Sequence, residues 1–442
     1  MPSFIRSAFQ PKSLIHRWAS AWAIALLATT GSPQAATFQL EIDYMGPDAD
    51  LSHDHKPSQK VLDAVIQMFA CQGHTLIIDL DDQIAHSDTL ARDEDCDELF
   101  DYDDVPNSFG KIRDQYFDHG SGWHYGLFVH QYMTYSSSLD QCVLSGSSGL
   151  SDGESRLVVS LGKWDNETGT EFEQAGTLAH EFGHNLGLSH CANNGLCSSN
   201  DDPTDPAFVG PRVPNLASIM TYYFQTRGVK SNMLAMGLAP SVALFKDLDY
   251  SGGRMCGLDE SDLDERAGSG MTSVDWDCDG TLETSVAQEI NGSSSSGWCG
   301  DTGNQTVLQD YNEWNNLSDV TYLLGSRKPE DLEFRRRRLK PVEPCVSYEE
   351  WTQYRDEQGL DEGPDLTIEP CLKGLNVYVG WNPIPWLNVG ICNFPYDGVR
   401  EAHDEAPEGS VFYLDPSSYD EGTTLLRREG LYTCYTGAAL VH

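Results

Sequence analysis

Basic residues are scarce in this chain. Its 442 residues contain 28 Lys and Arg against 68 Asp and Glu, a formal net charge of −40. Acidic runs such as RDEDCDELFDYDD (92–104) would repel phosphate, which argues against nucleic acid as a partner. The charge also fits a solvated surface, a salty habitat or several bound cations, and these stay open. Long hydrophobic runs are missing too. The most apolar stretch is AWAIALLA (21–28), preceded by Arg6, Lys12 and Arg17 and too short to span a bilayer. Small residues follow, through TTGSPQAA (29–36), so residues 1–36 read as a secretory signal, with a retained anchor as the alternative. No later run reaches transmembrane length, so no membrane association is expected once the signal is removed. Two further absences matter: there is no G-x-S-x-G elbow or Ser–His–Asp arrangement, and almost no chain separates the signal from the first strand-like segment.

Cysteine, by contrast, is plentiful. Twelve stand after the signal: Cys71, Cys96, Cys142, Cys191, Cys197, Cys256, Cys278, Cys299, Cys345, Cys371, Cys392 and Cys434. An even set behind a signal segment predicts disulfides in an oxidising compartment, hence a secreted chain, extracellular or periplasmic. Cys191 with Cys197, across a short turn rich in Asn and Gly, is the one local pair expected, with a metal-ligand role for Cys191 as the alternative.

The hydrophobic pattern alternates strand and helix. FQLEIDYM (38–45) has apolar residues at every second position, as a half-buried strand does. PSQKVLDAVIQMFACQG (57–73) has them at helical spacing, with Pro57 near the start and Gly73 at the end. HTLIIDL (74–80), HYGLFVHQYM (124–133) and RLVVSL (156–161) are further strand candidates. The class expected is α/β (α+β), with helices packed on a sheet. After residue 225 the chain loosens into Gly, Ser, Asp and Asn. The cluster FRRRRLK (334–340) is a basic linker, with a processing site as the alternative. Residues 345–442, with four cysteines and many aromatics, read as a small disulfide-stapled, mainly β module.

The chemistry concentrates in TLAHEFGHNLGLSHC (177–191). Thr170 and Glu173 fit a capping box, and Phe172, Ala175, Ala179, Phe182 and Leu186 form a core-facing stripe, so this is a helix. His180 and His184 then lie one turn apart on one face, able to share an ion. Glu181 can reach a water held at that ion without ligating it. Gly187 can end the helix and turn the chain, so that His190 returns as a third ligand. Three imidazoles plus an open position is the catalytic arrangement for zinc. A chance match to H-E-x-x-H-x-x-G-x-x-H in such a chain is on the order of one in ten thousand.

HEFGHNLGLSH (180–190) resembles the signature of the metzincin metalloendopeptidases. SIMTYYF (218–224) resembles that family's methionine turn, with Ser218, Met220 and Tyr222, thirty residues past His190. The resemblance covers roughly residues 37–230. It implies a metzincin-like catalytic domain with a twisted sheet and an active-site helix, one catalytic Zn2+ on His180, His184 and His190, and Glu181 as the base. It also implies Met220 as the floor of the site, and for Tyr222 a place near the metal or the transition state. The organisation expected is a signal (1–36), a peptidase domain (37–325), a basic linker (326–344) and the C-terminal module (345–442). The function expected is a secreted zinc-dependent endopeptidase acting on protein or peptide substrates. Its alternatives are a non-catalytic binding or adhesion protein on the same scaffold, or a zinc hydrolase of a non-peptide bond. LSGSSGLS (144–151) is the candidate edge along which a substrate lies. DWDCDGTLETSV (275–286) starts like an EF-hand loop, with Asp275, Asp277, Asp279 and Gly280, but has Val286 where a bidentate Glu is needed. A structural Ca2+ site and an acidic turn both remain open there.

Overall fold

The computed structural model describes residues 35–47, 53–90, 107–136, 139–190, 211–238, 245–318 apart from short breaks, 345–358 and 364–371, together with the backbone of short strands between 376 and 441. The signal segment up to residue 34, Cys191 and Cys197, the basic cluster 334–340 and most of 377–386 lie outside the described residues.

The chain folds as a mixed α/β structure. Its main sheet comprises β1 (Thr37–Met45), β2 (Thr75–Ile84), β3 (His124–Val129), β6 (Gly149–Ser151) and β7 (Arg156–Ser160), in the order β2-β1-β3-β7-β6. The first four in that order run parallel, and β6 closes one edge antiparallel to β7. The small hairpin of β4 (Met133–Ser136) and β5 (Gln141–Leu144) stands apart. Helix α1 (Gln59–Cys71) begins at Ser58, whose hydroxyl accepts from Val61 N, rather than at Pro57. It packs with α3 (Glu171–Asn185) over one sheet face, burying Val61, Val65, Phe69, Phe172, Ala179 and Phe182 with Leu40, Ile42 and Val159.

The opposite face is covered as well, by α2 (Phe109–Tyr116) and the segment after it, where Phe109, Ile112, Tyr125, Leu127 and Val129 pack together. The half-buried strand expected at 38–45 is therefore buried on both faces. Its polar residues Glu41 and Asp43 are fully enclosed. Tyr125 donates to Asp43 Oδ2 at 2.6 Å, and His119 Nδ1 lies 2.6 Å from Glu41 Oε2. Burial pushes Asp43 up to about 7, against the hydrogen bond from Tyr125. A parallel sheet with both faces covered is the usual reason for such a central strand. The expected strand 124–133 breaks at His130, because the chain leaves the sheet there to form the hairpin.

Two bridges join described cysteines, Cys71–Cys371 and Cys278–Cys299, while Cys345 is a buried free thiol. Cys371 thus ties the C-terminal region to the end of α1, 300 residues away, and Cys345 departs from the expected set of bridged cysteines. After residue 375, β10 (Asn376–Val379), β11 (Val411–Leu414) and β13 (Leu431–Cys434) pair in parallel. Among the described residues, no helix is long and apolar enough to cross a membrane.

Candidate metal centre

Helix α3 starts with the expected capping box. Glu173 N donates to Thr170 Oγ1 at 3.2 Å, and Thr170 N donates to Glu173 Oε2 at 2.7 Å. It ends at Gly187, whose φ of 85° is the left-handed conformation a glycine adopts without strain. Gly187 N donates to His184 O and Leu188 N to Gly183 O, both at 2.9 Å, so the last turn closes as a Schellman motif. That reversal brings His190 back over the helix. His180 Nε2 and His190 Nε2 lie 3.1 Å apart, His184 Nε2 and His180 Nε2 3.1 Å, and His184 Nε2 and His190 Nε2 2.9 Å. All three residues are buried.

These nitrogens cannot all be satisfied by one another. His180 Nδ1 donates to Ile219 O at 2.8 Å and His184 Nδ1 to Leu188 O at 3.0 Å. Neutral imidazole has one N–H, so both Nε2 atoms present lone pairs to each other. Burial, then the neighbouring His184 and His190, hold His180 well below the usual imidazole range, and burial pulls His190 down to about 3. A cation held among the three Nε2 atoms would resolve the facing lone pairs of His180 and His184. Tetrahedral Zn–N bonds of about 2.0–2.1 Å place ligand nitrogens about 3.3 Å apart, close to the spacing here. The carbonyls fixing each tautomer are the outer partners such a site requires.

Glu181 is fully buried beside His180, and its Oε2 has no hydrogen-bond partner. Burial pushes it up to about 8. The segment 218–224, expected as a methionine turn, packs against the helix. Ser218 Oγ accepts from Met220 N at 3.0 Å, and Ile219 N donates to Asp249 O at 3.0 Å. A Cβ on Gly183 would stand 2.5 Å from Met220 Sδ, and one on Gly176 would stand 2.1 Å from the Gln225 carbonyl oxygen. The two glycines are seven residues apart on one helix face, and their lack of a side chain lets the 220–225 segment reach the helix. Tyr222 packs on His190, ring centroids 4.7 Å apart.

Comparison with family models, with curated proteins and with solved structures found no match. The site is therefore read from its own geometry.

Sequence reasoning missed three of its neighbours. Tyr250 donates to Ala179 O at 2.5 Å from below the helix. Gln225 donates to Ser148 Oγ at 3.1 Å. Cys345 lies with its thiol against Glu181 Oε1 and within 4.8 Å of ligand atoms of His180 and His184. Burial and the adjacent Glu181 push that thiol well up. Cys345 begins a strap that runs along the predicted edge. Ser148 N donates to Val346 O at 3.1 Å and Tyr348 N to Gly146 O at 2.9 Å, an antiparallel pairing centred on Ser147 and Ser347. Helix α4 (Tyr348–Gln358) follows, anchored by the buried Trp351 stacked on Trp164. Only the carboxylate at 181 and an unassigned cysteine could have signalled this in sequence; pairing across about 200 residues has no local signature.

The acidic loop 275–280 folds onto itself. Asp275 accepts from Asp279 N at 3.1 Å and Gly280 N at 2.8 Å, and Asp279 accepts from Thr281 N at 2.8 Å. Asp277 instead groups with Glu265 and Glu283, near enough to share a cation. Glu265 already accepts from the backbone N–H groups of Trp276 at 2.6 Å and Glu283 at 2.9 Å.

Proposed function

We propose that the chain is a secreted zinc-dependent endopeptidase with a metzincin-like catalytic domain, held here in a covered form by its own strap. The observation that carries this reading is the convergence of the Nε2 atoms of His180, His184 and His190 beside a buried carboxylate with an unpartnered oxygen. Zinc, when bound, supplies positive charge that polarises a scissile carbonyl and acidifies a water. Glu181 takes the proton from that attacking water and returns it to the leaving amine. Tyr222, against His190, offers its hydroxyl to the developing oxyanion. The strap supports a peptide as substrate, because residues 345–347 run antiparallel along 146–148, as a bound peptide lies on a sheet edge. The leader segment and the bridges Cys71–Cys371 and Cys278–Cys299 support export.

The test is Glu181→Gln in the full chain. The variant should keep its zinc and fold, yet lose on the order of 10²–10⁴ in peptide turnover, the usual contribution of a general base. Undiminished turnover would place the base elsewhere. A wild-type chain that binds zinc and cleaves no peptide, with the strap cut or intact, would leave only a binding role.

A further inference from the structure

A second cluster of histidines lies outside the site just described. His53 and His55 precede α1, His86 follows β2, and His130 follows β3. Three adjacent parallel strands, β2, β1 and β3, thus deliver all four side chains to the region beyond their carboxyl ends. Each offers one ring nitrogen to a common point, and these atoms lie within 4.8 Å of one another. His53 Nε2 is 3.3 Å from His130 Nδ1, and His55 Nε2 is 3.3 Å from His86 Nε2. That spacing matches the edge of a tetrahedron with metal–nitrogen bonds of about 2.0–2.1 Å, or about 3.3 Å.

The tautomers agree with ligation. His53 Nδ1 lies 3.1 Å from Glu167 Oε2, so it carries the proton and leaves Nε2 with a lone pair. Glu167 reaches His53 from a turn held at φ 62°, beside Asn166 at φ 57°, conformations that side chains rarely adopt. His55 is buried, with its ring 5.1 Å from that of His53 and 5.3 Å from that of His86. Glu167 and Asp88 are the acidic groups whose charge acts on His130.

We propose that His53, His55, His86 and His130 form a second metal site, closed and structural, for a divalent transition ion of the zinc class. An all-imidazole donor set suits zinc, copper or nickel and disfavours calcium and magnesium. With four protein ligands no position is left for substrate, which separates this site from the one on α3. Its role is to staple the loop 53–57 to the ends of β2 and β3, where no disulfide joins described cysteines.

Metal counting on the full chain tests it. The protein is stripped with chelator, reloaded with Zn2+, desalted, and analysed for zinc per chain. Wild type should hold two, His184→Ala one, His86→Ala one, and the double variant none. The His86→Ala protein should keep its peptide turnover. If His184→Ala and wild type both hold one ion and His86→Ala holds none, the α3 site fails and this one stands. If His86→Ala keeps the wild-type count and His184→Ala holds none, this proposal is overturned. Should His86→Ala not fold, the His184→Ala protein alone decides when titrated with Co2+. One equivalent with the intense visible bands of a tetrahedral nitrogen site supports the proposal, and no bound Co2+ overturns it.

Discussion

At the scale of single residues, the site depends as much on what is missing from side chains as on what they carry. Gly176 and Gly183 have no Cβ where the 220–225 segment presses on α3. At Gly176 the obstacle would be a backbone carbonyl, which cannot rotate away as a flexible side chain can. Gly176→Ala should therefore destabilise the fold by about 1–3 kcal/mol, the usual cost of overpacking a well-filled core. It should also weaken zinc binding, because the segment it displaces carries Ile219, whose carbonyl fixes the His180 tautomer. Urea unfolding together with zinc affinity checks this. An unchanged midpoint would mean that the segment has slack the packing does not suggest.

Among elements, the strap and the edge it pairs with decide whether the site is open. Residues 146–148 already bond to β7 on one side, through Ser160 N to Ser148 O at 2.7 Å, so the strap occupies the side left for a partner. Its grip combines strand pairing, the Cys345 thiol on Glu181, the Arg212–Glu350 ion pair and the stacking of Trp351 on Trp164. Removing the thiol frees Glu181 while leaving the pairing in place. Cys345→Ala should raise turnover of a short peptide several-fold, and cleavage within the basic stretch 334–340 should raise it further. The bridge Cys71–Cys371 will keep the cut strap tethered, so reduction after cleavage should add to the gain. Turnover that is the same in wild type, Cys345→Ala and cleaved protein would show that the strap does not obstruct substrate.

For the whole molecule, an excess of negative charge makes buried carboxyls costly, and they set a pH dependence. Glu313 is almost fully buried beneath the methionine turn, where its Oε2 accepts from Ser251 N at 2.7 Å. Burial pushes it from 4.5 up to about 8, aided by Asp310 and Asp249 and opposed by Ser218 and the Ser251 N–H. Between these values the folded chain holds a proton that the unfolded chain releases, so stability from this group declines as pH rises from about 5 to about 8. The decline is at most about 1.4 kcal/mol per pH unit. Glu313→Gln keeps the shape without the ionisation. In saturating zinc, the difference in unfolding free energy between variant and wild type should shift in the variant's favour from pH 5 to pH 8. A difference that stays constant would show that Glu313 is ionised in the fold throughout.

The histidine cluster of α3 was legible in sequence because every step from the Thr170 cap to His190 is local. A capping box, a 3.6-residue period and one glycine at the helix end are short-range physics, and they are enough to converge three imidazoles. The strands expected at 38–45, 74–80 and 156–161 were legible for the same reason, from local alternation or short apolar runs, and they form at 37–45, 75–84 and 156–160. The enclosure of Glu41 and Asp43 was not, since alternation predicts a solvent face and only the arrival of α2 and Tyr125 covers it. Nor was the meeting of His53, His55, His86 and His130, which lie up to 77 residues apart and converge because three parallel strands end side by side. The place of Cys345 follows the same rule. An even count of cysteines speaks for bridges, and only pairing between residues 146–148 and 345–348, distant in sequence and adjacent in space, holds one thiol against the Glu181 carboxylate instead.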